Sequence, residues 1–264
     1  MEKESFWIMQ KFGPLFFTCF AFFIALLVIA SLLLRKRSER AKKIVLITAC
    51  VITFIGFFVY KYFLSIDAEY NAILQSENPP KSFSWWDELP LQLCNINMIL
   101  IPIAVALNKR PLMSFCFFMA PLGALLALLF PMNGFYNCSI WLPRMLGFYG
   151  THFMIIIEAL ALVTFGFYRP KFKDLPKTIL TLVILMLVIT GINLLIRVTG
   201  RYDHANYFFT MEAPATVSIL ELFWSWIPVP VLYLLPGAVI LGVYMSLVTT
   251  PFAIADAIKK KKAS

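Results

Sequence analysis

Seven separate stretches of about twenty nearly uncharged residues dominate this chain, and that length is what an α-helix needs to cross the roughly 30 Å hydrocarbon core of a bilayer. They fall at residues 14–34, 44–64, 89–107, 112–130, 147–167, 178–196 and 227–249. Strands crossing a membrane would show shorter, alternating segments, and these runs do not alternate. Composition agrees. Of 264 residues, 61% are hydrophobic and 14% charged, whereas a soluble domain carries about 45–50% apolar and about 25% charged residues. The expected fold is an all-α integral membrane protein, a bundle of about seven transmembrane helices forming one polytopic domain over residues 1–264. The first apolar run is longer than a signal-peptide core and its basic cluster follows it, so it reads as a retained span.

A net charge of +9 in such a chain is an orientation signal before it is a nucleic-acid signal. One side of the expected bundle collects Arg35, Lys36, Arg37, Arg40, Lys42 and Lys43, then Lys109 and Arg110, then Arg169, Lys171, Lys173 and Lys177, and finally Lys259 to Lys262. These are sixteen of the 23 basic residues. Positive loops stay in the cytoplasm, which puts the N-terminus outside and the C-terminus inside. The opposite loops, residues 67–88, 131–145 and 198–226, are longer and carry Trp85, Trp86, Trp141, Trp224 and Trp226. Aromatic rings at that level anchor helix ends, and residues 218–226 have the pattern of a short amphipathic helix.

The five cysteines make no CxxC or Cys/His metal spacing, and four of them lie inside apolar runs. Neither a metal nor a cofactor is expected, and no disulfide framework. Function is sought instead among polar groups inside the spans, where they are costly and face the bundle interior.

Three clusters stand out. In the third span Gln92, Cys94, Asn95 and Asn97 follow within two turns of Pro90. On a helix begun at Leu89, Gln92 and Asn95 share one face, and Cys94 and Asn97 an adjacent one. The plain alternative is that these amides tie helices together by interhelical hydrogen bonds. In the fifth span His152 sits at the depth of Cys94, and Glu158 lies deeper, where a carboxyl has to be protonated, paired or wetted. In the sixth span Asn193 and Arg197 precede the run Gly200 to Tyr207, which holds Arg201, Asn206 and Tyr207. Arg197 and Arg201 either snorkel to phosphates or grip a phospholipid headgroup bidentately.

The chemistry these residues permit is nucleophilic. Thiolate is the reactive form of cysteine, and a neighbouring histidine generates it by taking the proton. A Cys94–His152 pair at the lipid–water boundary is therefore a candidate acyl carrier, with Gln92, Asn95 or Asn97 donating to the oxyanion and Asn193, Arg197, Asn206 and Tyr207 lining the substrate site. Two other readings compete. A transporter or flippase-like path would use Gln92, Asn97, Glu158, Asn193 and Arg197, although no internal repeat or half-helix pattern is evident. A non-catalytic protein would bind a partner through its aromatic loops.

The run LPLQLCNINMILIPIAV, the THF start of the fifth span and NYFFTMEAP…SILELFWSWIPVP resemble the YwaF-type integral membrane proteins of bacteria, most clearly from Trp86 to Tyr233. That family is similar to a eukaryotic transmembrane family whose members are assigned as acyltransferases making ether phospholipids with polyunsaturated chains. The resemblance implies a cysteine in the third span and a histidine in the fifth as the catalytic pair, which here are Cys94 and His152. It further implies a multi-pass protein of the bacterial plasma membrane, with a phospholipid or acyl chain as substrate and no nucleic-acid partner. The oligomeric partner is left open.

Overall fold

The structure is a computed structural model that describes residues 6–77, 80–214 and 217–263. The chain is mostly helical. Six of its helices are long and apolar enough to cross a membrane. They are α1 (Pro14–Leu34), α2 (Glu39–Ser65), α5 (Arg110–Leu129), α6 (Pro143–Thr164), α7 (Leu175–Val198) and α9 (Leu235–Ala263), the last two entered through 3-10 turns. Three shorter helices, α3 (Ala68–Gln75), α4 (Asn97–Ala106) and α8 (Ser218–Trp226), complete the helical set among the described residues. The last of these is the short helix that the amphipathic pattern over 218–226 implies. Ser38 caps α2 by accepting from the Ala41 N–H at 3.3 Å, and Asp67 caps α3 by accepting from Tyr70 at 3.0 Å.

Two sequence expectations need correction. The third apolar run was expected to be helical from Leu89, but residues 89–96 form a string of turns and α4 starts at Asn97. The Leu91 N–H closes a tight turn on the Leu89 carbonyl across Pro90, and the Asn97 side chain donates back to the Leu93 carbonyl at 2.7 Å. Side-chain bonds of that kind compete with regular helix. The face-sharing expected of Gln92 with Asn95, and of Cys94 with Asn97, therefore does not apply. At ten residues α4 is about 15 Å long, half a hydrocarbon core. The last run was expected to be helical from Ile227, but it becomes a long helix only at Leu235, since Pro228 and Pro230 interrupt the segment before it.

α6 is the centre of the bundle: 67% of its apolar window is buried, against 6% for α1. It packs on α2, α5, α1 and α4, while α1, α7 and α9 turn rows of Leu, Ile and Val outward. Lipid tails are as apolar as leucine, so helix association rests on close packing and interhelical hydrogen bonds. Both are present. Gly147 of α6 lies flush against Tyr60 of α2, where a Cβ would come within 2.1 Å of the tyrosine. Ser31 on α1 donates to Thr164 on α6 at 2.9 Å, Ser114 on α5 meets Thr178 on α7 at 2.6 Å, and Tyr244 on α9 donates to the Phe118 carbonyl on α5 at 3.1 Å.

The bundle has two distinct ends. At the basic end, Arg169 after α6 pairs with Asp256 of α9 at 2.5 Å, and Lys42 of α2 donates to the Phe165 carbonyl at 3.1 Å. At the other, aromatic end, β1 (Ile8–Met9) pairs antiparallel with β2 (Cys138–Ser139), just before α6 begins. The described N-terminal residues and the C-terminal part of α9 thus lie at opposite ends of α6.

Candidate active site at the aromatic end

Cys94 is held in the turns that precede α4, and the shape of α5 allows it to sit there. Gly123 of α5 has no side chain, and the Cys94 backbone nitrogen lies 3.2 Å from where a Cβ would be. The Cys94 side chain is buried in those turns. Asn95 is the residue of the cluster whose side chain makes no hydrogen bond among the described residues, and its Oδ1 is buried without a partner. The Asn97 Oδ1 is likewise unpartnered.

His152 is buried two turns into α6, its ring tilted 48° against Phe148 at a centroid separation of 4.5 Å. Its Nδ1 lies 2.7 Å from the Phe148 carbonyl oxygen. A carbonyl only accepts, so Nδ1 carries the proton and Nε2 keeps its lone pair. The ring is thereby fixed in the tautomer that accepts a proton at Nε2. Cys94 and His152 are both within the electrostatic reach of the Lys61 ammonium, although no hydrogen bond joins them to each other in this conformation.

Lys61 is the residue that sequence reasoning passed over. It lies near the aromatic end of α2, inside a run read simply as apolar, and forms a buried ion pair with Glu88. Its ammonium also rests on the Tyr60 ring at 4.6 Å from the centroid. The signal was available: a lone lysine a full turn inside a span has to find a partner. Arg144 was missed in the same way. In the first turn of α6 and 1% exposed, it pairs with Asp67 at 2.5 Å and Glu69 at 2.7 Å, and donates to the Gly134 carbonyl at 3.1 Å. Through Arg144 the loop before α6 and the short helix α3 are clamped together.

The remaining candidate side chains form a strap over this end. Asn193, wholly buried in α7, donates to the Tyr207 carbonyl and the Thr210 hydroxyl and accepts from the Tyr207 N–H, each at 3.0 Å. Arg197 donates to the Ala205 carbonyl at 2.8 Å and pairs with Glu212 at 3.1 Å, and Asn206 accepts from Met211 at 3.0 Å. The Gln92 Oε1 accepts from Phe208 at 3.1 Å, while the Tyr207 hydroxyl donates to the Trp86 carbonyl and accepts from the Leu89 N–H. The strap thus fastens residues 205–212 onto the segment leading to Cys94. Phe208 and Phe209 both adopt positive φ, at 56° and 53°. For bulky residues this is strained, and it persists where surrounding bonds over-determine the loop.

Two further groups complete the picture. Asp87, beside the strap, accepts from the Tyr202 hydroxyl at 3.1 Å, and loss of hydration around its carboxyl, reinforced by the Glu88 charge, raises its pKa to about 6. Glu158, deep in α6, accepts from Thr53 at 2.6 Å through one oxygen, while the other has no hydrogen-bond partner. Among the described residues no group of three His, Cys, Asp or Glu side chains is arranged to hold a metal ion.

No curated protein and no solved structure matches the chain. The model of the TMEM164 family, a transmembrane family, matches residues 7–249, nearly the whole length, and this multi-pass membrane protein belongs to that family.

Proposed function

We propose that this membrane protein is a lipid acyltransferase that carries the acyl group on Cys94. The observation that carries the reading is the His152 ring, whose Nδ1 bond to the Phe148 carbonyl leaves Nε2 as a proton acceptor, at the end of the bundle where Cys94 is buried in the turns before α4 beside the unbonded Asn95 side chain. In the first half-reaction the thiol proton passes to His152 Nε2 and the sulfur bonds to the ester carbonyl carbon of a phospholipid. The carbon–oxygen bond then breaks and the departing alcohol takes the proton from His152. In the second, an acceptor hydroxyl gives its proton to His152 and attacks the thioester, and the sulfur leaves as the thiol. The Asn95 side-chain N–H donates to the oxyanion in both steps. Water as the acceptor would make the same site an acyl hydrolase.

The test is covalent capture. Purified protein in vesicles containing a phospholipid with a radiolabelled acyl chain should acquire label that neutral hydroxylamine releases, and Cys94→Ala should not. Equal labelling of the Cys94→Ala variant would sink the proposal.

The same reading includes a topology. Residues 89–106 together complete a seventh crossing, which suits the opposite placement of the two chain ends, with the N-terminus outside and the basic end facing the cytoplasm of a bacterial cell. A cysteine introduced at Ser38 and labelled by an impermeant reagent from outside intact cells would overturn that orientation.

A second reading, a transport path, draws on the unwound segment before α4 and on the unpartnered Glu158 oxygen, since transporters use broken helices at their sites. Solute flux that persists in Cys94→Ala but is lost in Glu158→Gln would favour it.

A further inference from the structure

At the basic end, away from Cys94, a cavity of about 140 Å³ opens between the first turn of α5 and the turn that leads into α7. Arg110, Pro111, Lys173, Asp174 and Lys177 line it. Three cations and one carboxylate give it a net positive charge. The carboxylate is fully committed: Asp174 accepts from Arg110 at 2.9 and 2.6 Å, from the Tyr168 hydroxyl at 3.1 Å and from the Lys171 N–H at 3.1 Å. It therefore acts as a brace that holds the guanidinium in place, with no oxygen left over for a cation. Lys173 and Lys177 have no carboxylate partner among the described residues. The positive ends of the α5 and α7 dipoles, both helices opening with a proline, face the same region.

From these facts we infer that the cavity binds a phosphate group, presented either by a lipid headgroup of the adjoining leaflet or by the free anion. Its volume admits one tetrahedral anion. Arg110 spends Nε and Nη2 on Asp174 and the Arg169 carbonyl, which leaves Nη1 as a fixed donor, and the two lysines supply mobile point charges. Position favours the lipid, because the cavity lies at the terminal turns of two membrane helices, where headgroups sit. This site is independent of the chemistry proposed at Cys94.

The experiment uses the full chain in nanodiscs of neutral phosphatidylcholine. One arm measures retention of phosphatidic acid by native mass spectrometry. The other titrates inorganic phosphate against chloride at matched ionic strength and reads binding by calorimetry. The variants are Lys173→Gln with Lys177→Gln, the same pair changed to Arg, and Lys259 to Lys262 all changed to Gln. The Gln pair should weaken phosphate binding roughly thirtyfold, while the Arg pair restores it and the tail variant stays close to the parent. Binding in the lipid arm alone identifies the headgroup as the ligand, and binding in both identifies the phosphate group itself. Failure of both arms, or an equal loss in the tail variant, overturns the inference.

Discussion

The Lys61 ammonium of α2 closes on the carboxylate of Glu88, tying the aromatic end of the second membrane helix to the loop that enters the Cys94 turn. Both side chains are largely withdrawn from solvent, so each depends on the other. Removing one partner of a buried pair leaves an uncompensated charge, at a cost of about 3–5 kcal/mol. Lys61→Met should therefore lower the thermal midpoint in detergent strongly. Lys61→Met combined with Glu88→Leu should recover most of that loss. A single variant as stable as the parent would show that the pair is solvated.

The helix contact at Gly147 makes a sharper prediction. An alanine Cβ there would come within 2.1 Å of the Tyr60 Cβ, so α6 and α2 must separate to admit it. Overpacking of this kind costs about 1–3 kcal/mol, and more when backbone has to move. Gly147→Ala should destabilise the protein, and Tyr60→Gly added to it should relieve part of the effect. The readout is the midpoint of thermal unfolding for the two single variants and the pair.

The helical character and most long spans were legible from hydropathy, because a twenty-residue apolar run has few alternatives. The break at residues 89–96 was not, because those residues are as apolar as a helix would be. What unwinds them is only partly local: beside the Pro90 turn and the Asn97–Leu93 bond, the Tyr207 hydroxyl takes the Leu89 N–H, and Gln92 turns to Phe208, far away in sequence. The same holds for the site. Cys94, His152 and the intramembrane amides stood out as expensive polar groups. Their division into a strap (Asn193, Arg197, Asn206, Tyr207 and Gln92) and an unbonded Asn95 depends on partners that spacing does not reveal. Lys61 and Arg144 were visible as charges, but their carboxylate partners lie in loops that fold back over the bundle.

The strap prediction follows from the three bonds of Asn193. Asn193→Leu keeps the volume while leaving the buried Tyr207 N–H without its partner, at about 1–3 kcal/mol for a buried unsatisfied group; the Tyr207 carbonyl keeps the Thr210 N–H at 3.3 Å. Hydrogen exchange at residues 207–210 should accelerate well beyond that of the α6 core. Unchanged protection there would show that the Tyr207 hydroxyl contacts suffice to hold the loop.

Asp87 predicts a pH dependence. Its folded pKa, about 6, lies above the ordinary value of 3.8, so the folded state binds more protons between those limits. Stability from the protonated form is complete below about 3.8 and is lost as pH rises through about 6. The groups facing it are Glu88, which adds to the rise, and Tyr202, Lys61 and Lys81, which oppose it. Asp87→Asn should flatten the decline in thermal midpoint across that interval. A slope of the same size in the variant would assign the titration to another group.

The proposed Cys94–His152 pair gives the last prediction, and it separates a chemical role from a structural one. If Cys94 and His152 act as one unit in acyl transfer, removing either disables the same step, so the losses do not add. Cys94→Ala and His152→Ala should each reduce transfer between phospholipids by several orders of magnitude, and the double variant should be barely slower than the slower single one. His152→Gln preserves much of the ring's packing without a titrating nitrogen, so it should keep the fold and lose the activity. Independent losses that multiply in the double variant, with activity retained in His152→Gln, would instead give the histidine a packing role against Phe148.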